Sequence, residues 1–402
     1  MTADGARWAR VKEVLARAIE LDGAARVEWL DTACSADPEL RAEVEALLEA
    51  HDTAGPLDAV GEELRAILED GGELTAGARV GRFAVVRELG RGGMGRVYLA
   101  ERVGADFDQE VAIKVVSGGL ATPELEARLR AERRILAGLD HPGIARFLDG
   151  DVTDDGRPYL VMEYVQGIPI DRFCDERSLG VEERLALFRH VIEAVDSAHR
   201  HLVVHQDIKP GNVLVRPDGT VKLLDFGIAR LLGDDRASSR TLQAHTPGFA
   251  SPEQQRGEAV TMASDVFSLG VLLHVLLTGA RPPGPGARPS EALGPESART
   301  RATTLPRLRA KLVGDLDAIV AKALAEDPAD RYGSARQLAE DLAAHAAYRP
   351  VVARSGAGRW YRAGRFVRRN ALAVGAAAAL VVALSVGLAG TAAQAGARQS
   401  VV

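Results

Sequence analysis

Apolar positions in the first 75 residues recur at helical spacing. Trp8, Val11, Leu15, Ala18 and Ile19 form one stripe, and Leu40, Val44, Leu47 and Leu48 form another. Asp37-Pro38, just before the second stripe, has the form of an N-cap followed by a first-turn proline. Gly71-Gly72 and Gly77 break the pattern and predict a linker over 76–82. From Phe83 the period shortens. Apolar or alternating runs predict strands over 83–89, 96–101, 110–116, 145–148 and 159–164, with a helix over 123–139 between the third and fourth. After Ile168 the pattern is mainly helical. A stretch rich in Pro, Gly, Ser and Arg at 280–305 interrupts it and predicts a mobile loop, and helical signal resumes from Leu308 to about Tyr348. Residues 371–393 contain no charge and are rich in Ala, Leu, Val and Gly. At about 1.5 Å per residue that run is long enough to cross a bilayer core of about 30 Å.

Composition adds few constraints. A length of 402 residues leaves room for two or three domains. A net charge of -6 argues against a nucleic acid as partner of the whole protein. The two cysteines, Cys34 and Cys174, are far apart and belong to no CxxC motif, so they are expected to be free thiols in a reducing compartment. Residues 1–20 carry acids and no continuous apolar core, unlike a secretory signal.

Charge does change the picture at the C-terminal end. Arg354, Arg359, Arg362, Arg365, Arg368 and Arg369 precede the apolar run, and only Arg398 follows it. The asymmetry predicts a single-pass cell-membrane protein whose bulk is cytoplasmic, with a basic juxtamembrane segment at 348–370, a span at 371–393 and a tail at 394–402 too short for a sensor domain. Trp360 and Tyr361 suit the interface. The competing reading is a buried core helix behind a basic nucleic-acid-binding run. Ala379, Ala383, Gly387 and Thr391 place small residues on one face of the span. That pattern admits a homodimer by close helix packing, and an Ala-rich span with no preferred face equally well.

Four motifs carry chemistry. Gly90-Arg91-Gly92-Gly93-Met94-Gly95-Arg96-Val97 sits between two predicted strands, where glycines let a backbone approach phosphates. Val111-Ala112-Ile113-Lys114 puts a lysine one strand further on, within reach of phosphate oxygens, and Glu132 on the next helix can hold it by an ion pair. In His205-Gln206-Asp207-Ile208-Lys209-Pro210-Gly211-Asn212, Asp207 can take the proton of an attacking hydroxyl and Lys209 can neutralise charge on a transferred phosphoryl group. Asn212, with Asp225 of Asp225-Phe226-Gly227, supplies the oxygen ligands that magnesium prefers. Phosphoryl transfer needs mainly positioning and charge neutralisation, and the set supplies both.

In this order the motifs resemble those of protein kinases, over about residues 80–347. Further landmarks agree. Ala250-Ser251-Pro252-Glu253 resembles the A-P-E element in a bacterial S-P-E-Q form, Asp265 the helix aspartate that braces the catalytic loop, Arg331 the partner of Glu253, and Met162-Glu163-Tyr164 the hinge. The resemblance implies an α+β, bilobal kinase domain at 83–347, with a small β-rich lobe and a larger helical lobe, joined to a helical N-terminal domain (1–75) and a C-terminal membrane helix. It implies ATP and Mg2+ as co-substrate and cofactor, and protein Ser/Thr hydroxyls as acceptors, since Lys209 and Thr246 fit the Ser/Thr rather than the Tyr branch. Asp207, Lys209, Lys114 and Glu132 would be catalytic and Asn212 and Asp225 metal ligands. Leu89, Gly90, Gly92, Gly95, Val97, Ala112, Lys114, Met162, Glu163 and Tyr164 would frame the nucleotide. His205 is expected to be structural.

One departure matters. The family usually has Arg where this chain has Gln206, and that Arg pairs with an activation-segment phosphate. Gln cannot make the charged, bidentate contact. Either no such phosphate is needed or activity is weakened, although Ser238, Ser239, Thr241 and Thr246 offer autophosphorylation sites. The alternatives to a signalling kinase are a pseudokinase scaffold and a small-molecule kinase. Small-molecule kinases usually lack the Ser-Pro-Glu, Asp265 and Arg331 set.

Overall fold

The computed structural model describes residues 73–92, 95–104, 109–116, 138–226 and 248–399, with parts of 10–45, and side chains as far as Ser385. Contacts divide the chain into two units, 1–74 and 75–402. In the first, helix α1 (Gly23–Ala33) brings Leu30 and Cys34 into a small apolar cluster with Val11, Val14, Ala18, Leu40 and Val44. Trp29 donates its indole N–H to the Val14 main-chain oxygen (3.3 Å). Asp37 accepts the Leu40 N–H (3.0 Å), which is the N-cap bond that Asp37-Pro38 predicts.

The second unit opens with a six-stranded antiparallel sheet in the order β1-β2-β3-β4-β6-β5. Its strands are β1 (Arg79–Val80), β2 (Phe83–Gly92), β3 (Gly95–Arg102), β4 (Glu110–Val116), β5 (Phe147–Val152) and β6 (Pro158–Glu163). The region expected to be a linker therefore already holds strand β1, paired to Phe83 and Ala84. Strand β4 lies between β3 and β6, and everything after Glu110 in it is buried, which explains an apolar run interrupted only by Lys114. The expected strand at 145–148 forms later, at 147–152, because Gly150 and Val152 complete the pairing with β6.

Below the sheet the chain is helical apart from a small sheet of β7 (Ile168–Pro169), β8 (Val213–Val215) and β9 (Val221–Leu223). The helices are α2 (Ile170–Glu176), α3 (Val181–Arg200), α4 (Pro252–Gln255), α5 (Met262–Thr278), α6 (Pro295–Arg299), α7 (Leu305–Leu312), α8 (Asp315–Ala323) and α9 (Ala335–Ala346). Helix α5 forms the centre. It is apolar on nearly all sides and buried throughout most of its length, as a helix surrounded by others must be. It starts at Thr261, whose hydroxyl accepts the Ala263 N–H (3.3 Å), and ends at Gly279 in the left-handed region (φ 83°). Gly270 lets α8 approach, since a Cβ there would stand 2.9 Å from that of Ala323.

The stretch expected to be a mobile loop, 280–305, is instead fixed. Asp317 accepts from both the N–H (2.9 Å) and the hydroxyl (2.6 Å) of Ser290. Arg301 is buried and donates to the Leu276 main-chain oxygen (2.9 Å). Its Pro and Gly residues shape turns around α6, and polar anchors replace the missing apolar pattern. Cys34 and Cys174 are both free and buried, and desolvation pushes the Cys174 thiol up to about 11.

Helices α10 (Arg359–Arg369) and α11 (Ala371–Gln399) follow. Among the described residues no single helix is long and apolar enough to cross a membrane. Helix α10 and the Ala371–Ser385 part of α11 meet the requirement together, bent by 96°.

Candidate active site

A cleft of 790 Å³ separates the sheet from the helical lobe. Its roof is the β2–β3 hairpin. Gly90 pairs with Val97 and Gly92 with Gly95, so the glycine motif is two strand ends rather than a strand followed by a helix. A Cβ on Gly90 or Gly92 would meet nothing within 4 Å, which leaves open space beneath the hairpin for a phosphate chain. Gly95 is required for a different reason. Its φ is +137°, and a Cβ there would stand 2.0 Å from the Val115 oxygen.

Every residue expected to frame a nucleotide lines this cleft: Leu89, Gly90, Gly92, Gly95, Val97, Ala112, Lys114, Met162, Glu163 and Tyr164. Leu214 and Leu224 line it as well. Periodicity does not mark them, because Leu214 sits on a three-residue strand and Leu224 just past another. Glu163 walls the cleft with its carboxylate turned to a basic cluster, accepting from Arg216 (2.6 Å) and Lys222 (2.9 Å). Burial pushes its pKa up, but the bonds from Lys222 and the Arg146 N–H outweigh it and hold the carboxyl below its usual range.

The catalytic loop brings the acidic and basic groups together. Asp207 Oδ2 lies 2.7 Å from Lys209 Nζ. The Asn212 amide donates to the Asp207 main-chain oxygen (2.7 Å) and to its Oδ2 (2.9 Å). This aims the carboxylate and leaves Asn212 Oδ1 as the oxygen it can offer a cation. Lys114, only 7% exposed, pairs with Asp225 Oδ2 at 3.0 Å across the cleft. Lys114, Asp207, Lys209, Asn212 and Asp225 thus line one cavity, Lys114 from the sheet side and the others from the helical lobe. Glu132, Thr246, Ser238, Ser239, Thr241 and Gly227 lie outside the described residues.

Two residues beside the cleft have left-handed backbones, Gln206 (φ 71°) and Asp225 (φ 59°). Such conformations are strained for residues with a Cβ and persist only where surroundings enforce them. Asp265 enforces the first. Buried at the start of α5, it accepts from the His205 N–H (2.8 Å), the Gln206 N–H (2.9 Å) and His199 Nε2 (2.8 Å). His205, also buried, donates from Nε2 to the Leu224 oxygen (2.7 Å) and lies against the Phe226 ring. It links the catalytic loop to the Asp225 loop, the structural part expected of it. Further off, Arg331 holds both oxygens of Glu253 (2.7 and 2.8 Å), and Ser264 donates to one of them (2.7 Å). Burial raises the Glu253 pKa, but these bonds reverse it and bring the carboxyl to about 2.

The protein kinase domain family matches residues 83–345. The chain belongs to the protein kinase family. The chain is 38% identical over 287 residues to a probable serine/threonine-protein kinase of Streptomyces coelicolor, covering 69% of this chain and 42% of the relative. It is 35% identical over 268 residues to the serine/threonine-protein kinase PknB of Mycolicibacterium smegmatis, covering 65% and 42% respectively. Against PrkC of Bacillus subtilis it is 35% identical over 264 residues, covering 65% and 40%. The chain therefore spans less than half the length of these relatives. The crystal structure of a point mutant of the Mycobacterium tuberculosis PknI kinase domain superposes with a TM-score of 0.51 and 31% identity, covering 68% of this chain and all of that one. A kinase domain implies ATP and Mg2+, and the residues fit both. The open space under Gly90 and Gly92 suits phosphates, and Asn212 Oδ1 with the Asp225 carboxylate forms an oxygen donor set of the kind magnesium takes.

Proposed function

We propose that this chain is a Ser/Thr protein kinase, transferring the ATP γ-phosphoryl group to protein hydroxyls. The observation that carries the reading is the convergence of Asp207, Lys209, Asn212, Asp225 and Lys114 on one cleft beneath a glycine hairpin. Acceptance of Ser or Thr rests on Lys209 and on the similarity to proteins named as serine/threonine-protein kinases.

Each side chain has a chemical role. Asp207, aimed by Asn212 and Lys209, accepts the proton of the attacking hydroxyl. Lys209 stands beside that carboxylate and stabilises charge on the phosphoryl group in transit. Lys114 binds phosphate oxygens, and its present partner Asp225 is then available with Asn212 to hold Mg2+. When bound, the metal neutralises phosphate charge. The apolar walls at Leu89, Val97, Ala112 and Leu214 enclose the base and exclude water.

The test is labelled-phosphate transfer from Mg-ATP to a generic basic protein, beside an Asp207→Asn control. Transfer to Ser or Thr that disappears in the control is the expected result. ATP binding without transfer would favour a scaffold. Self-labelling in the same assay reads out autophosphorylation.

We also propose that α11 anchors the kinase to a membrane with the catalytic lobes on the cytoplasmic side. The charge-free run from Ala371 and the arginines before it support this reading. Resistance of the membrane-bound chain to alkaline carbonate extraction is expected, and its release by carbonate would remove the proposal.

A further inference from the structure

Helix α10 is fixed to the kinase lobe on one side only. Tyr361 accepts the Val351 N–H with its hydroxyl (3.1 Å), and the Arg365 guanidinium pairs with buried Asp315. Arg354 joins from the preceding turn, 3.1 Å from Asp315 and stacked over the Tyr361 ring. Residues 361 and 365 lie one turn apart, on the same face. Trp360, Ala363 and Val367, at i, i+3 and i+7, form a different face, with Phe366 beside them. All four are exposed, Trp360 to 84%. Arg362 and Arg369 border that face beside Phe366, Arg368 borders it beside Trp360, Arg359 lies at its N-terminal end, and all four are exposed; no acidic residue occurs between Arg349 and Gln399.

The direction of the next helix gives the exposed face a meaning. Asn370 ends α10, donating from its N–H (3.0 Å) and its side chain (2.9 Å) to the Phe366 oxygen, and the chain turns by 96° into α11. The apolar surface then continues through Leu372, 92% exposed, to Leu380, Val381, Val382 and Leu384. If α11 runs along a bilayer normal, α10 must lie in the plane of that bilayer.

We infer that α10 is an interfacial helix that binds an anionic lipid surface through Trp360, Val367 and Phe366, with the flanking arginines on lipid headgroups. An amphipathic helix with a basic polar side and aromatic residues opposite is the form such helices take. Because Tyr361 and Arg365 tie it to the lobe through Val351 and Asp315, the contact would fix the kinase domain's orientation on the membrane rather than leave it on a loose tether. The inference rests on the membrane reading of α11, yet it has a separate test.

Full-length protein is added to vesicles made with brominated phosphatidylglycerol or with brominated phosphatidylcholine alone. Trp360 contact is read as the quenching present in the native chain and missing from a Trp360→Phe variant. Quenching in the anionic vesicles, well above that in the neutral ones, is expected. In a combined Arg359→Gln, Arg362→Gln and Arg369→Gln variant, it should need about tenfold or more additional anionic lipid, as loss of several basic contacts predicts. A carbonate-resistant chain with no Trp360 quenching would overturn the interfacial helix and keep the span. A carbonate-released chain with salt-reversible Trp360 quenching would overturn the span and keep the helix. Cross-linking of two copies through α10 without lipid quenching would assign the face to self-association and refute the inference.

Discussion

The Gln254 side-chain amide donates to the main-chain oxygen of Gln206 at 2.8 Å. Its own oxygen accepts from the Ser251 N–H (2.9 Å) and hydroxyl (3.0 Å), so the amide is oriented from both ends. The Gln206 N–H meanwhile goes to Asp265. Both main-chain groups of the residue before the base are thus held by neighbours, and neither bond uses an activation-segment phosphate. The backbone at position 206 is thus held through its main-chain groups by Gln254 and Asp265.

Gln254→Leu should therefore lower kcat by about five- to tenfold, the value of one buried hydrogen bond near 1 kcal/mol. The KM for ATP should stay unchanged, because Gln254 touches no part of the nucleotide cleft. Steady-state kinetics at varied ATP would check it, and equal damage to both constants would assign Gln254 to general stability instead.

Gln206→Arg is expected to change turnover by less than about threefold, since the loop is already held. A rise of tenfold or more on purified enzyme would show that the native chain is an attenuated kinase awaiting a charge contact.

Asp265→Asn replaces one accepting oxygen by an N–H group that faces main-chain donors. The left-handed turn at Gln206 loses its restraint, and the carboxylate of Asp207 loses its aim. A fall in kcat of about a hundredfold, with nucleotide affinity retained, is expected from misplacing a catalytic group by about 1 Å. Isothermal titration with an ATP analogue separates the two effects.

Arg331→Met would leave Glu253 buried without its partner. Breaking such a pair costs about 3–5 kcal/mol, which thermal unfolding would register. The pH dependence adds a sign. The Glu253 carboxyl sits at about 2 when folded and higher when unfolded, so the pair's stabilisation is complete above about pH 5 and fades as pH falls towards 2. The gap in melting temperature between native and variant should narrow as the solution is acidified. A gap that stays constant would show that Glu253 is not held by Arg331.

Gly95→Ala places a Cβ against the Val115 oxygen at a backbone angle that L-residues rarely adopt. The hairpin roof must lift, so ATP affinity should drop while the helical lobe's stability holds. Fluorescent nucleotide binding and thermal unfolding, measured together, test this division.

Much of the molecule was already determined by its sequence. Strand β4 is apolar apart from Lys114 because side chains on both its faces are buried, and the order of Gly90, Lys114, Asp207, Asn212 and Asp225 carries its chemistry in residue types that few other sites need together. Local rules also located Asp37 as a cap, because a cap bond spans only two or three residues. Contacts between distant segments were decided by the tertiary structure. The partner of Lys114 is Asp225, 111 positions away. Gln254 reaches Gln206 across 48 positions, and the stretch at 280–305 is anchored by Asp317 and Arg301 although its composition suggested freedom. The direction of α10 relative to α11 was equally hidden. Periodicity describes a helix about its own axis, and the 96° turn at Asn370 is a relation between two axes that neither helix's pattern contains.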